Sequence, residues 1–308
     1  TTGTTSFTVT DDSIYEGNET GIIAIDTVSG GGGSGATENG TQAVTITITE
    51  NESAPTVTLT TSATSIAENA GSSLTLTATL SGATDSAITV ALDTSGTATE
   101  GTDYTDGSGN IDDITISAGA TTGTVSFTPT DDSIYDAASN ETATISINGV
   151  SGKTGVEENS TPQTVTITIT DNESAPTVTL ATASTSIDEN SASTITLTAT
   201  VSTATFQDVT VSIDGTGGTG TEGTDFGTVS DITISAGSTT GTATFDPTDD
   251  SVYEGNETAG ISVSGVSGGG ASESGSQAVT ITITDNESAP SVTLTTSATS
   301  ITENAGSS

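Results

Sequence analysis

The sequence repeats itself at intervals of about 120 residues, and this repetition is the strongest constraint on its fold. The pentapeptide Asn-Glu-Ser-Ala-Pro occurs three times, at 51–55, 172–176 and 286–290. An acidic turn, Asp-Asp-Ser-Ile/Val-Tyr, also occurs three times, beginning at Asp11, Asp131 and Asp249. Repeats of this length are whole domains rather than single turns of a solenoid.

The pentapeptide closes one unit and opens the next. We therefore predict the C-terminal part of a unit at 1–52, complete units at 56–173 and 177–287, and the start of a further unit at 291–308. We interpret the sequence as a window on a longer array. The alternative is strand exchange between subunits, and it leaves residues equivalent to 74–120 without a source.

Within a unit, apolar residues alternate with Thr or Ser, the pattern of strands with one buried and one wet face. The middle unit contains seven such segments, at 57–61, 73–80, 87–92, 114–116, 123–128, 143–147 and 164–169. Seven short strands separated by Gly, Ser, Asp and Asn predict an all-β fold, a Greek-key β-sandwich repeated in tandem as a rod.

Eight of the nine aromatic residues occupy equivalent positions in the repeats, and we expect them to pack in the cores. They are Phe7, Phe127, Phe245, Tyr15, Tyr135, Tyr253, Tyr104 and Phe226. Phe206 alone is outside this pattern. We interpret the glycine-rich loops at 29–35 and 267–270 as flexible connections.

Net charge narrows the possible partners. The chain carries −39 with one basic residue, Lys153, and it contains neither His nor Cys. Proteins bind nucleic acid and anionic membrane surfaces through Lys and Arg, so we expect neither as a partner. The sequence has no apolar run long enough for membrane insertion. Zinc, copper and iron lose their best ligands, whereas oxygen-only ligands favour calcium.

Acidic residues recur at four places in each unit. In the middle unit these are Glu68, Asp103, the turn from Asp131 to Glu141, and the closing 171–173. If the four places share one end of a sandwich, they form an oxygen-rich cage suited to several calcium ions. Two alternatives are a solvated acidic face and a glycosidase-like carboxylate pair, although the second would need aromatic platforms that the sequence lacks.

The combination of these motifs resembles a Calx-beta domain. The matching segments of the middle unit are TATEGTDY at 97–104, ITISAG at 114–119, DDSIY at 131–135 and VTITITDNE at 165–173. The resemblance covers essentially the whole chain, and it implies an immunoglobulin-like sandwich with Ca2+ at one end.

By motif match, the resemblance also implies a ligand set for each unit. For the first partial unit it is Asp11, Asp12, Glu16, Glu19, Glu50 and Asn51. For the middle unit it is Glu68, Asp103, Asp131, Asp132, Asp136, Glu141, Asp171 and Asn172. For the third unit it is Glu189, Asp225, Asp249, Asp250, Glu254, Glu257, Asp285 and Asn286, and Glu303 is the counterpart of Glu68 in the last segment.

These observations predict a calcium-binding structural segment of an extracellular fibre or adhesin stalk on a bacterial surface. Calcium at the ends of the domains would stiffen the rod, and the partners would be Ca2+ and neighbouring copies of the unit. The alternative is a calcium-dependent adhesion module that recognises a carbohydrate or protein. An intracellular calcium sensor fits less well, and we predict no enzyme because the sequence offers neither His nor Cys for catalysis.

Overall fold

The computed structural model describes residues 2–30, 35–136, 140–160, 163–300 and 302–303. These residues form twenty-five strands and no helix, which confirms the predicted all-β fold. In the same residues there is accordingly no helical segment of the length and apolarity needed to cross a membrane. The chain divides into two compact units, Thr1–Asp132 with Ser139–Asn172, and Ser133–Ala138 with Glu173–Ser308.

The first half of the chain contributes fifteen strands. They are β1 (Ile14–Tyr15), β2 (Glu19–Ala24), β3 (Ala43–Ile48), β4 (Thr56–Thr61), β5 (Ser65–Ala67), β6 (Leu74–Leu80), β7 (Ala83–Thr84), β8 (Ile88–Gly96), β9 (Tyr104–Thr105), β10 (Ile114–Ile116), β11 (Thr122–Pro129), β12 (Ile134–Tyr135), β13 (Glu141–Ser151), β14 (Glu157–Glu158) and β15 (Thr164–Thr170). All of them except β12 belong to the first compact unit.

Two five-stranded sheets form the sandwich of the first unit, in the orders β10-β8-β13-β15-β5 and β14-β4-β6-β11-β9. Its core follows the alternation of the sequence. In β6, Leu76, Ala78 and Leu80 are buried, whereas the threonines between them face outward. Threonine suits such a half-exposed pleated surface because it is β-branched.

The second unit repeats this architecture. Its further strands are β16 (Thr177–Thr182), β17 (Ser186–Asp188), β18 (Ile195–Val201), β19 (Ala204–Thr205), β20 (Val209–Gly218), β21 (Ile232–Ile234), β22 (Thr240–Phe245), β23 (Glu257–Ser267), β24 (Ser272–Glu273) and β25 (Ala278–Thr284). One sheet has the order β22-β18-β16-β24 and the other β17-β25-β23-β20-β21.

All seven strands predicted for the middle unit are present, as β4, β6, β8, β10, β11, β13 and β15. The sequence analysis missed the short strands β5, β7, β9, β12 and β14, each of two or three residues. Segments this short show no periodicity, and their pairing partners are distant in sequence. Residues 291–300, the expected opening of a further unit, form no strand, and Val292 and Leu294 are 98% and 97% exposed.

The expectation that the recurring aromatic residues pack in the cores is correct for two pairs. Tyr104 stacks on Phe127 with ring centroids 4.7 Å apart, and Phe226 packs on Phe245 at 5.0 Å. All four rings are fully buried. The expectation is wrong for Phe7 and Tyr253, each 46% exposed. Tyr15 and Tyr135 are half-buried, and Tyr15 packs against the core cluster of the first unit.

One glycine position shows how closely the two sheets approach. A Cβ atom on Gly123 in β11 would lie 2.5 Å from the carbonyl oxygen of Thr115 in β10. The equivalent Gly241 in β22 would meet the carbonyl oxygen of Thr233 at 2.3 Å. Glycine is required here because backbone, rather than a movable side chain, occupies the space.

We predict that Phe245→Ala lowers the free energy of unfolding of the second unit by about 3–5 kcal/mol, because it leaves a cavity beside Phe226. Thermal or denaturant unfolding monitored by circular dichroism measures this loss. Phe206→Ala is the matched control, since Phe206 is 44% exposed. Equal losses in the two variants would contradict the assignment of the core.

Candidate metal centres

Strand pairing collects distant acidic residues at one end of the second unit. Strand β17 runs parallel to β25, with Asp188 opposite Thr284, so Glu189 and Asp285 follow these strands side by side. Strand β23 is antiparallel to β25 and begins at Glu257, opposite Ile283. The amide of Thr248 donates to the carbonyl of Asp225, which brings this residue beside the acidic turn.

The first acidic group, called the inner cluster below, consists of Glu189, Asp285 and Glu287, with one carboxylate oxygen of each within 4.8 Å of the others. Glu189 Oε1 and Glu287 Oε2 are buried and receive no hydrogen bond. Burial, the adjacent carboxylate of Glu287 and the charge of Asp285 raise the pKa of Glu189 to about 7. Two acceptors facing each other without a donor require a shared proton or a cation.

The second group, called the outer cluster below, consists of Asp225, Glu254 and Glu257, again within 4.8 Å. Burial and the neighbouring Asp225 raise the pKa of Glu257. Burial and the charges of Asp225, Asp250 and Asp285 raise the pKa of Glu254. Because Asp285 acts on residues of both clusters, the two form one continuous acidic region.

Asp285 also fixes the backbone of the acidic turn. Its Oδ2 accepts hydrogen bonds from the amides of Glu254 and Gly255 at 2.8 and 2.5 Å, and its Oδ1 accepts from the amide of Glu287 at 2.7 Å. Burial opposes ionisation, but these three amide donors outweigh it and lower the pKa of Asp285. This carboxylate is therefore held as an anion by the protein itself.

Two other aspartates of the region use an oxygen to close their own loops. Asp225 Oδ2 accepts from the amide of Thr221 at 2.6 Å, and Asp250 Oδ1 accepts from the amide of Val252 at 2.6 Å. These local hydrogen bonds fix the conformations of the two side chains without a metal ion.

The first partial unit brings its whole predicted set together. Asp11, Asp12, Glu16, Glu19, Glu50 and Asn51, with Glu52, line one small cavity of about 40 Å³. Glu50 takes the place of Asp285, and its Oε2 accepts from the amides of Glu16 and Gly17, both at 2.6 Å. Hydrogen bonds from Glu52, together with those from Glu16 and Gly17, lower the pKa of Glu50 to about 2.

In the middle repeat the structure places Glu68 and Asp132 with carboxylate oxygens within 4.8 Å, and Glu68 is only 7% exposed. The amide of Asn172 donates to Glu68 Oε1 at 3.3 Å. Glu141 lies opposite Ile169, as Glu19 lies opposite Ile48 and Glu257 opposite Ile283. Glu141 stands five residues after Asp136, whereas Glu19 stands three after Glu16, and this two-residue insertion leaves the strand register unchanged.

The remaining predicted residues are placed less centrally. Asp103 closes its loop by accepting from the amide of Thr99 at 2.5 Å, Asp171 follows β15, and Asp136 lies in the part of the chain assigned to the second compact unit. Asp131, Asp249 and Glu303 are exposed. The side-chain Nδ2 groups of Asn51 and Asn286 donate to Asp11 Oδ1 and Glu287 Oε1, at 3.2 and 3.1 Å.

Sequence reasoning missed Glu287 and its counterpart Glu52 as ligand candidates. Both follow the closing Asn, and the same glutamate recurs at Glu173. That recurrence within the pentapeptide was the available signal, but the ligand sets included only the Asn of the pentapeptide and not the Glu that follows it. The structure places Glu287 in the inner cluster and Glu52 in the wall of the cavity.

The donor set of these clusters fits a hard divalent cation. Every candidate ligand is an oxygen, several carboxylates converge, and two buried oxygens lack a donor. Calcium accepts six to eight such oxygens in irregular geometry. The fold and the clusters thus define the class: tandem β-sandwiches with an oxygen-lined candidate cation site built from strand-end loops.

Comparison with known families agrees with this class. The Calx-beta domain model matches residues 1–52, 50–173 and 171–287, so the chain belongs to the Calx-beta domain family. That family is one of calcium-binding domains. No curated protein matches the sequence.

Three solved structures illustrate the range of similar folds. The calcium binding domain CBD12 of CALX1.1 is 15% identical, with 66% of this chain and 77% of that chain covered and a TM-score of 0.30. Invasin, a bacterial integrin-binding protein, is 15% identical, with coverages of 75% and 39% and a TM-score of 0.34. The adhesin InvE of Yersinia pseudotuberculosis is 15% identical, with coverages of 75% and 59% and a TM-score of 0.30.

The raised pKa of Glu189 predicts an unusual pH dependence in calcium-free buffer. The folded state binds this proton more tightly than the unfolded chain does. The resulting stabilisation is complete below the ordinary pKa of 4.5 and is lost as the pH rises through about 7. We therefore expect the melting temperature of the second unit to fall between about pH 5 and about pH 8.

Glu189→Gln should flatten this fall, because its amide donates to Glu287 at every pH. Asp188→Asn, at the exposed neighbouring position, is the control and should retain the fall. Differential scanning calorimetry across the pH range measures both. A wild-type melting temperature that rises with pH over this window would refute the prediction.

Proposed function

We propose that this chain is a calcium-binding structural segment of an extracellular fibre or adhesin stalk on a bacterial surface. Its organisation into units at 1–52, 56–173, 177–287 and 291–308 forms part of the proposal. The observation that carries it is the inner cluster, in which the buried oxygens of Glu189 and Glu287 face each other without a donor. Membership of a calcium-binding domain family supports the same ligand.

The ligands proposed for the second unit come from both clusters. Glu189, Asp285 and Glu287 would hold one ion, and Asp225, Glu254 and Glu257 another. Asp250 contributes charge to both groups. A bound calcium ion would supply the positive charge that these oxygens lack. It would take the place of the missing hydrogen-bond donors and offset the repulsion between the carboxylates.

The consequence is mechanical stability rather than catalysis. Calx-beta domains are a non-enzymatic family. An ion that binds only the folded state, present at about 10 times its Kd, adds about 1.4 kcal/mol per site to the free energy of unfolding. Because Asp285 and Glu287 lie in the segment that follows the last strand of a repeat, ordering them also orders the exit of the chain toward the next repeat.

The proposed extracellular location suits sites of this kind. Calcium sites in extracellular modules bind with Kd values of about 10⁻⁴–10⁻³ M, and the surrounding medium fills them. A net charge of −39 keeps such a chain soluble, but it also makes the chain repel itself. Bound cations would reduce that repulsion along the fibre.

The decisive test is thermal unfolding of the full chain in millimolar calcium, in EGTA and in millimolar magnesium. We expect calcium to raise the melting temperature on the order of 10 °C. Magnesium should do far less, since it retains its waters and demands octahedral geometry. Small-angle scattering on the same samples should show a longer, stiffer particle with calcium.

Glu189→Gln should remove much of the calcium-dependent increase in the second unit, whereas Asp188→Asn should preserve it. Isothermal titration calorimetry counts the sites that are lost. Identical melting temperatures and dimensions in calcium and EGTA would refute the proposal and leave the acidic residues as a solvating surface.

A further inference from the structure

The Ile–Tyr segment that follows the acidic turn pairs with the neighbouring repeat in the sequence. In the first compact unit, β1 (Ile14–Tyr15) runs parallel to β7, with Ile14 opposite Ala83 and Tyr15 opposite Thr84. The amide of Asp85 donates to the carbonyl of Tyr15 at 3.4 Å. A segment predicted to fill its own core thus forms a sheet with residues about 70 positions later in the chain.

A glycine, called the glycine seat below, leaves room for the tyrosine side chain. The hydroxyl of Tyr15 donates to the carbonyl of Thr154 at 3.2 Å. Gly155 has a φ of +88°, and a Cβ atom there would lie 3.0 Å from that hydroxyl oxygen. Both the backbone conformation and the close approach of Tyr15 therefore require glycine at this position.

The single basic residue of the chain lies at the same contact. Lys153 Nζ forms a salt bridge with Asp85 Oδ1 at 2.7 Å, and it also donates to the carbonyl oxygen of Glu16. The lysine hydrogen bond lowers the pKa of Asp85. One lysine cannot balance a charge of −39, so Lys153 acts only locally. It links Glu16, the residue after Tyr15, to the neighbouring sandwich.

The second compact unit contains the same arrangement without the lysine. There β12 (Ile134–Tyr135) runs parallel to β19, with Tyr135 opposite Thr205, and the amide of Phe206 donates to the carbonyl of Tyr135 at 3.4 Å. A Cβ atom on Gly270 would lie 2.7 Å from Tyr135 Cε1. The loop at 267–270, interpreted from sequence only as a flexible connection, thus has a packing role.

Comparing the two copies separates the essential contacts from the optional ones. The parallel pairing, the backbone hydrogen bond and the tyrosine on its glycine occur in both copies. Phe206 replaces Asp85, and the shorter loop has no counterpart of Lys153. The common part involves no carboxylate of the inner or outer cluster.

The third copy of the segment shows that the tyrosine is not buried by its own sandwich. Val252 and Tyr253 are 56% and 46% exposed. Tyr15 and Tyr135, which have an Ala–Thr edge and a glycine beside them, are less exposed.

We propose that the Ile–Tyr segment is a repeat-docking element. Its partner is the Ala–Thr edge and the glycine seat of the β-sandwich that follows in sequence. The element fixes the orientation of one repeat on the next through contacts that need no metal ion. It goes beyond the proposed calcium function, because the two act through different atoms.

The test uses the absence of cysteine, which allows two spin labels to be placed without competing thiols. Labels at Thr47→Cys and Ser126→Cys, both exposed, report the distance between the partial unit and the following sandwich by double electron–electron resonance. We expect a narrow distribution in the labelled parent. Tyr15→Ala should widen it roughly twofold, because it removes the ring and the hydroxyl contact with Thr154 that hold β1 against the following sandwich.

Gly155→Val should widen the distribution as well, since the added side chain displaces the Tyr15 ring. Gly71→Val is the matched control: Gly71 has a φ of +62° and open space around its Cβ position, so it carries similar strain without touching the contact. Circular dichroism confirms that each variant is folded. Equal widths in the parent and in Tyr15→Ala overturn the proposal, whatever the glycine variants show.

The measurement is made in millimolar calcium and in calcium-free buffer. We expect the difference between the parent and Tyr15→Ala in both conditions. A calcium-independent melting temperature with this difference preserved would refute the calcium function and leave the docking element standing. A calcium-dependent melting temperature with no effect of Tyr15→Ala would refute the docking element and leave the calcium function standing.

Discussion

Repulsion between carboxylates, in a chain that can neutralise almost none of them, governs this structure. With one lysine against forty acidic residues, ion pairs cannot organise the fold. The cores of the sandwiches are accordingly built from Val, Ile, Leu, Ala and aromatic side chains, and the acidic residues of the two clusters are placed at strand ends and in the loops between strands. The parallel pairing of β17 with β25 then brings Glu189 to Asp285 and Glu287, which is the arrangement that repulsion most opposes. A protein that buries facing carboxylate oxygens without a donor depends on a proton or a cation to hold them.

The acidic residues are of two kinds, which differ in whether hydrogen-bond donors reach their carboxylate oxygens. Asp285 and Glu50 accept backbone amides, which keep them ionised and shape the turn whether or not they also bind a cation. Glu100 is also a structural acceptor, receiving the amide of Ile111 at 2.6 Å and the hydroxyl of Thr94 at 2.9 Å, although it repeats as faithfully as any candidate ligand. Glu189 and Glu287 are the opposite kind, with buried oxygens that no donor reaches. Recurrence alone therefore does not identify a ligand, whereas the state of its oxygens does.

The long strands could be predicted from the sequence, whereas the short strands and loop contacts between them could not. Alternation of apolar residues with threonine located all seven strands of the middle repeat, because each buried face carries its own period-two signal. Strands β1 and β12 have two residues each, so their pairing is determined by a partner far along the chain. Tyr15 shows the same limit: its recurrence resembles that of Phe127, yet Phe127 is fully buried in the core and Tyr15 rests on a glycine of the neighbouring sandwich. Glu287 was overlooked because a motif that marks a boundary also carried a candidate ligand.

The acidic turn and the proposed docking element are parts of one short stretch of backbone. Glu50 holds the amides of Glu16 and Gly17, and the residue immediately before them is Tyr15, whose carbonyl and hydroxyl bind the following sandwich. Order imposed on either side of this stretch therefore restricts the other, since only one peptide unit separates the two sets of contacts. Calcium would order the acidic turn, and Tyr15 orders its contact with the following sandwich. Each would therefore lower the entropy cost of forming the other. An array of such repeats would gain stiffness from both, without a disulfide and with a single lysine.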